Sequence, residues 1–206
     1  MIAELCVTIG MCFLWAFWIM LPAYIPNPGA ALLGGGTPID FGKCAKDGRR
    51  IFGDGKTWRG LFGGIAAGVL TGALLMWIRW AFNLTFLPEH TWITVIALSV
   101  GALLGDLVKS YFKRRLGKER GAKWPIADMY DMVAGSLGLM TIVLLVTGNI
   151  GWFTAVFGAF SGGMVLDIGT WGALLAVLAA VLIVSPLMHR CANIIGYMFR
   201  LKDVPW

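Results

Sequence analysis

Five long apolar runs decide what this chain of 206 residues can fold into; they span about residues 3–24, 61–82, 91–112, 128–146 and 171–188. Each can cross the roughly 30 Å hydrocarbon core of a bilayer as a helix. The composition agrees, with 58% hydrophobic and only 14% charged residues, ten tryptophans and a mean hydropathy of +0.77. The expected fold is an all-α, multi-pass integral membrane protein of five transmembrane helices, a single membrane domain over 1–206 with no soluble extramembrane domain. The first run lacks a basic leader and a small-residue cleavage site, so it reads as a retained span and not as a signal peptide.

Topology follows from charge. The formal net charge is +6, and apart from Arg79 the basic residues fall in the loop of about 25–60, the central segment with its loop of about 113–127, and the tail carrying Arg190, Arg200 and Lys202. The excess of Lys and Arg in cytoplasmic loops predicts that these three regions face the cytoplasm, with the N-terminus outside and the C-terminus inside. The glycine-broken stretch from Ile150 to Val165 then reads as an external interfacial segment, since a sixth span would put the basic tail outside. Basic residues beside membrane spans argue against nucleic acid and for anionic lipid and nucleotide phosphate as partners. Cys6, Cys12, Cys44 and Cys191 show no C-x-x-C spacing, and with only His90 and His189 a zinc or histidine-based centre is not indicated.

The chemistry concentrates between Gly105 and Asp131, in GDLVKSYFKRRLGKERGAKWPIADMYD. Asp106, Lys109, Ser110 and Lys113 lie at spacings of three, four and seven, which puts them on one helical face. Asp128 and Asp131 share a face at the start of the fourth run. An acid inside a span is costly unless paired or functional. Asp106 either forms a salt bridge to Lys109 or Lys113, or joins the other two acids. Asp128 and Asp131 can equally be acids favoured by a helix N-terminus, with Asp128 as its N-cap. Taken together, the three carboxylates suit Mg²⁺, which is commonly held by one or two carboxylates plus substrate phosphates. Lys109, Ser110 and Lys113 share the Asp106 face and are candidates for phosphate. Arg114 and Arg115 can be phosphate ligands or simply positive anchors.

Loop one carries GDGKT at Gly53–Thr57, but Arg50 stands where a P-loop needs its first glycine and no strand precedes it, so a Walker motif is excluded. Its glycine-rich backbone can still follow a phosphate, with Lys56, Thr57 and Arg59 placed before a helix N-terminus that favours anions.

The central segment resembles the signature of membrane cytidylyltransferases that make CDP-activated lipids: Gly105-Asp106, Ser110, Lys113-Arg114, Lys118, Pro125, then Asp128 and Asp131. The PGHGG of the bacterial phosphatidate enzymes is replaced by Pro125-Ile126-Ala127. Loop one, with Asn27-Pro28, GGGTPID at Gly34–Asp40 and DGRRIFGDGKTWRG at Asp47–Gly60, is more specifically similar to the archaeal branch, the CDP-archaeol synthases. The resemblance implies transfer of a cytidylyl group from CTP to an isoprenoid ether lipid phosphate, 2,3-bis-O-(geranylgeranyl)-sn-glycerol 1-phosphate, at the cytoplasmic face of the cell membrane. It implies Mg²⁺ on Asp106, Asp128 and Asp131, with Lys113 beside them as a catalytic residue. Phosphate oxygens would be held by Lys109, Ser110, Arg114 and Lys118, by Lys56, Thr57 and Arg59 closing from loop one, and by Arg49 and Arg50. Two alternatives remain at this level: a cytidylyltransferase for diacyl phosphatidic acid, and a small anion transporter.

Overall fold

The computed structural model describes residues 2–118, 122–163 and 167–198; Arg120, Arg200 and Lys202 lie outside them. Seven helices follow in order: α1 (Ile2–Tyr24), α2 (Pro26–Leu33), α3 (Trp58–Ala81), α4 (Trp92–Arg115), α5 (Pro125–Val146), α6 (Gly151–Gly163) and α7 (Gly169–Met198). Among the described residues there is no strand, only two isolated bridges in loop one. Five of the helical stretches are long and apolar enough to cross a membrane. Large side chains such as Leu70, Trp80 and Val146 point outward at 70%, 79% and 82% exposure, as a bilayer-facing surface requires.

Local sequence sets the helix ends. Thr57 caps α3 by accepting the Gly60 N–H, and Thr91 and Thr94 form a reciprocal capping box at the start of α4. Pro125 opens α5, where its missing N–H costs nothing. Lys113, Arg114 and Arg115 close α4, where cations favour the negative end of the helix dipole. Gly117 then supplies the left-handed residue that ends it, at φ 70°.

Three boundaries differ from the sequence expectation. Loop one is not loop throughout: Pro26 begins the short helix α2 inside the expected loop of about 25–60. Helix α4 continues through Arg115, so the basic cluster begins on a helix and the connection to Pro125 is shorter than 113–127. The last helix runs on to Met198 because nothing after Pro186 breaks its pattern; a proline inside a helix can kink it without ending it. The 13 residues of α6 rise about 20 Å, too short to cross a bilayer.

Close packing is organised by glycine. Gly101 and Gly105 of α4 meet Gly135 of α5 so tightly that a β-carbon on Gly135 would sit 2.8 Å from the Gly105 Cα. Small residues let membrane helices approach backbone to backbone. On α3, Gly64 abuts Pro26 and Ala30 of α2, Gly68 abuts Pro22 and Ser99, and Gly72 abuts Val95. At the opposite end, the indoles of Trp15, Trp18 and Trp152 donate to the carbonyls of Phe86, Pro88 and Glu89, tying down the α3–α4 connection. His90 is buried there, donating from Nε2 to the Trp18 carbonyl at 3.2 Å. Desolvation, with the nearby Arg79 charge, pushes its pKa down to about 4 against the Trp18 bond, so the imidazole is neutral.

Candidate active site

The α4–α5 glycine contact brings the C-terminal turns of α4 beside the N-terminal turns of α5. Lys109 Nζ stands at the centre, 2.6 Å from Asp131 Oδ2, 3.1 Å from Asp106 Oδ1 and 3.4 Å from Asp128 Oδ1. One turn on, Lys113 Nζ lies 2.7 Å from the same Asp128 oxygen and donates to the Ala122 carbonyl at 2.9 Å. From loop one, Lys56 donates to Asp106 Oδ2. Three carboxylates therefore meet three ammonium groups. Two of these carboxylates are largely buried, with 13% of the Asp106 side chain and 4% of the Asp131 side chain exposed.

Asp106 pairs with Lys109, which also reaches the two other acids. Asp128 is not an N-cap, because Trp124 holds that position; its carboxylate instead accepts the Trp124 N–H at 2.8 Å. Ser110 is buried one turn beyond Asp106. Among the described residues, Arg114 Nε is buried without an acceptor, and its guanidinium faces Gly53 of loop one.

Other candidates fall outside the cluster. Arg50 spends its guanidinium on Asp40, at 2.6 Å, and on Asp54, at 2.5 Å. Thr57 is buried as the α3 cap. In this structure both side chains are engaged inside loop one. Arg59 is exposed with its stem against Gly36, and among the described residues Lys118 donates to the Lys123 carbonyl at 3.5 Å. Arg49 donates to the Arg115 carbonyl at 2.8 Å.

Two residues to which sequence reasoning gave no such role, Asp40 and Arg115, hold loop one in place. Asp40 is buried and accepts from Arg50 and from the N–H groups of Gly42, Phe52 and Gly53. Burial alone would raise its carboxyl, but the guanidinium and the three N–H groups outweigh it and hold the group well below the usual carboxylate range. Arg115 latches the loop to α4 by donating to the Arg50 carbonyl at 2.6 Å and to the Asp47 carboxylate. An isolated acid in a glycine-rich loop, or one arginine in a basic run, carries no pattern that separates it from its neighbours.

Among the described residues, no group of three or more acid, imidazole or thiol side chains can hold a metal ion by itself. The donor set still fits a hard cation shared with a substrate. Three carboxylates converge on a point now taken by an ammonium, and Asp131 Oδ1 is buried without a hydrogen-bond donor among the described residues.

The fold and site define a multi-pass helical membrane protein whose charged centre lies at the ends of its helices, suited to phosphate esters at a bilayer edge. The chain belongs to the CarS-like family of CDP-archaeol synthases, whose family model matches residues 9–162. It is 66% identical over 187 residues to the CDP-archaeol synthase of Methanocorpusculum labreanum, and 51% identical to that of Methanosphaerula palustris. Each match covers 91% of this chain and all of the relative. A solved intramembrane enzyme of archaeal membrane lipid biosynthesis is 34% identical, with a TM-score of 0.58 over 88% of this chain and 94% of that one.

Proposed function

We propose that this chain catalyses transfer of a cytidylyl group from CTP to 2,3-bis-O-(geranylgeranyl)-sn-glycerol 1-phosphate, giving CDP-activated unsaturated archaeol and pyrophosphate. The observation that carries this reading is the convergence of Asp106, Asp128 and Asp131 on Lys109, with Lys56 and Lys113 beside it, in a chain of this family.

An oxygen of the lipid phosphate attacks the α-phosphorus of CTP, a new P–O–P bond forms, and the bond to the β-phosphate breaks with its electron pair leaving on pyrophosphate. The nucleophile is already anionic near neutral pH, so positioning and charge stabilisation dominate over general-base chemistry. Lys109 and Lys113 turn from carboxylates to phosphate oxygens, Lys56 holds phosphate from loop one, and Arg114 offers an Nε–H that has no acceptor among the described residues. Ser110 donates its hydroxyl from the same helix face, and Arg49 and Lys118 extend the positive field along the entry side. Mg²⁺ would be held by Asp131 with Asp106 and Asp128, and when bound supplies positive charge to the reacting phosphates.

In this reading the charged end of the bundle faces the cytoplasm, where water-borne CTP meets a lipid whose chains stay in the membrane. The basic residues of loop one and of the α4–α5 connection support that orientation. The test is CTP-dependent pyrophosphate release by purified protein, with and without Mg²⁺, on the ether lipid phosphate beside diacyl phosphatidic acid and with Asp131→Asn. Release with the ether lipid that fails in the variant supports the reaction and the site. Preference for the diacyl lipid overturns the substrate, and no release from folded protein overturns the enzyme reading.

A further inference from the structure

Helix α3 presents a continuous outward stripe of Trp58, Phe62, Ala66, Leu70, Leu74 and Trp77, in which Phe62 is 63% exposed and Trp77 55%. From Trp58 to Trp77 the helix rises about 28 Å at 1.5 Å per residue, close to the hydrocarbon thickness of a bilayer. Tryptophan gathers at both membrane–water boundaries. The indoles of Trp58 at one end of α3 and of Trp77 and Trp80 at the other suit the two boundaries of a bilayer, with the N-terminal turn of α3 at the interface.

Loop one places a third ring at that level. The Phe41 ring lies 6.3 Å from Trp58, which in turn lies 5.8 Å from Phe62. Phe41 is 63% exposed and its backbone is left-handed at φ 49°, a conformation that favours glycine or asparagine over an aromatic residue. A solvated turn gives no reason to hold a large apolar ring there; a lipid surface does. The same turn is rigidly tied to the site. Asp40 precedes Phe41 and carries the loop's hydrogen bonds, and the Ile39 N–H donates to the Lys56 carbonyl at 2.8 Å.

We infer that Phe41 is a membrane anchor, seating the tip of loop one in the headgroup–acyl boundary of the bilayer together with Trp58 and Phe62, and so holding Lys56 over Asp106. The partner is the lipid interface itself. Exposed Lys43, two residues on, adds attraction for anionic headgroups.

The test places 4-trifluoromethylphenylalanine at position 41 of the full chain in nanodiscs and reads its fluorine resonance. Broadening by lipid carrying a nitroxide near the headgroup, with little effect from a water-soluble gadolinium chelate, is expected. Broadening by the chelate alone overturns the anchor, as does a ring that responds to CTP and not to the nitroxide lipid, which would make it a base-stacking residue. Phe41→Gly suits the left-handed backbone, so it folds while losing the ring. Amide exchange across residues 37–57 in nanodiscs should then speed up about tenfold, and Phe41→Leu should restore most of the protection. Unchanged exchange in Phe41→Gly overturns the inference whatever reaction the site performs.

Discussion

Lys109 Nζ and Asp131 Oδ2 stand 2.6 Å apart across the tightest contact between α4 and α5, and the same ammonium serves Asp106 and Asp128. Replacing it by an apolar side chain leaves three carboxylates facing one another with a single shared cation removed. Breaking a buried ion pair costs on the order of 3–5 kcal/mol. Lys109→Met should therefore lower the thermal unfolding midpoint in detergent by several degrees and reduce cytidylyl transfer at least about 100-fold. Wild-type stability in that variant would show that the cluster is held by something else.

Lys56 reaches Asp106 from a loop and keeps 28% of its side chain exposed. Its removal leaves Asp106 paired with Lys109, so no buried charge is left without a partner. Lys56→Ala should leave the unfolding midpoint within about 2 °C while cutting kcat about 10- to 100-fold, and Lys56→Arg should recover part of the rate. Steady-state kinetics beside a thermal melt separate the two effects.

Gly135 and Gly138 form a matched pair for testing the helix crossing. A β-carbon at 135 would press on the Gly105 backbone, whereas one at 138 meets nothing within 4 Å. Gly135→Ala should destabilise by about 1–3 kcal/mol and displace Asp131, with activity falling about 100-fold. Gly138→Ala should be neutral or stabilising by up to about 1 kcal/mol. Equal effects at both positions would contradict the close contact.

His90 gives a pH dependence remote from the chemistry. Its folded-state pKa of about 4 lies below the unfolded value of about 6.5, so between these values the unfolded chain binds the extra proton. The contribution to stability is intact above about pH 6.5, declines as pH falls towards 4, and levels off below that. Asp40, held below the ordinary carboxylate range, has its own loss at lower pH still. Unfolding midpoints measured across pH 4–7 should slope in the native protein and flatten in His90→Phe.

Hydropathy made the five long helices legible, because a bilayer leaves a long apolar run little choice. Helical spacing put Asp106, Lys109 and Lys113 on one face, and the structure places their side chains in one cluster. It could not show that Gly105 and Gly135 bring α5 within reach, since that depends on which glycines of two helices meet. Helix α2 was hidden by its own composition: Pro26 and Pro28 read as punctuation, yet proline is tolerated in a first turn, and Ala30 finds its partner only in the glycine face of α3. The roles of Asp40 and Arg115 arise mostly from contacts 10 to 68 residues away in sequence, which no local pattern records.

At rest the cluster is electrically self-contained: every carboxylate already has a lysine, and every lysine a carboxylate. In the proposed reaction it would work as a miniature ion exchanger. A nucleotide that drew the lysines away would uncover the acids for a divalent cation, and a cation on the acids would free the lysines for the nucleotide. Each substrate component would thus prepare the seat of the other, and linkage would make that help reciprocal. Polyphosphate without its metal, or metal without polyphosphate, finds each position already occupied by a neighbour of the same sign.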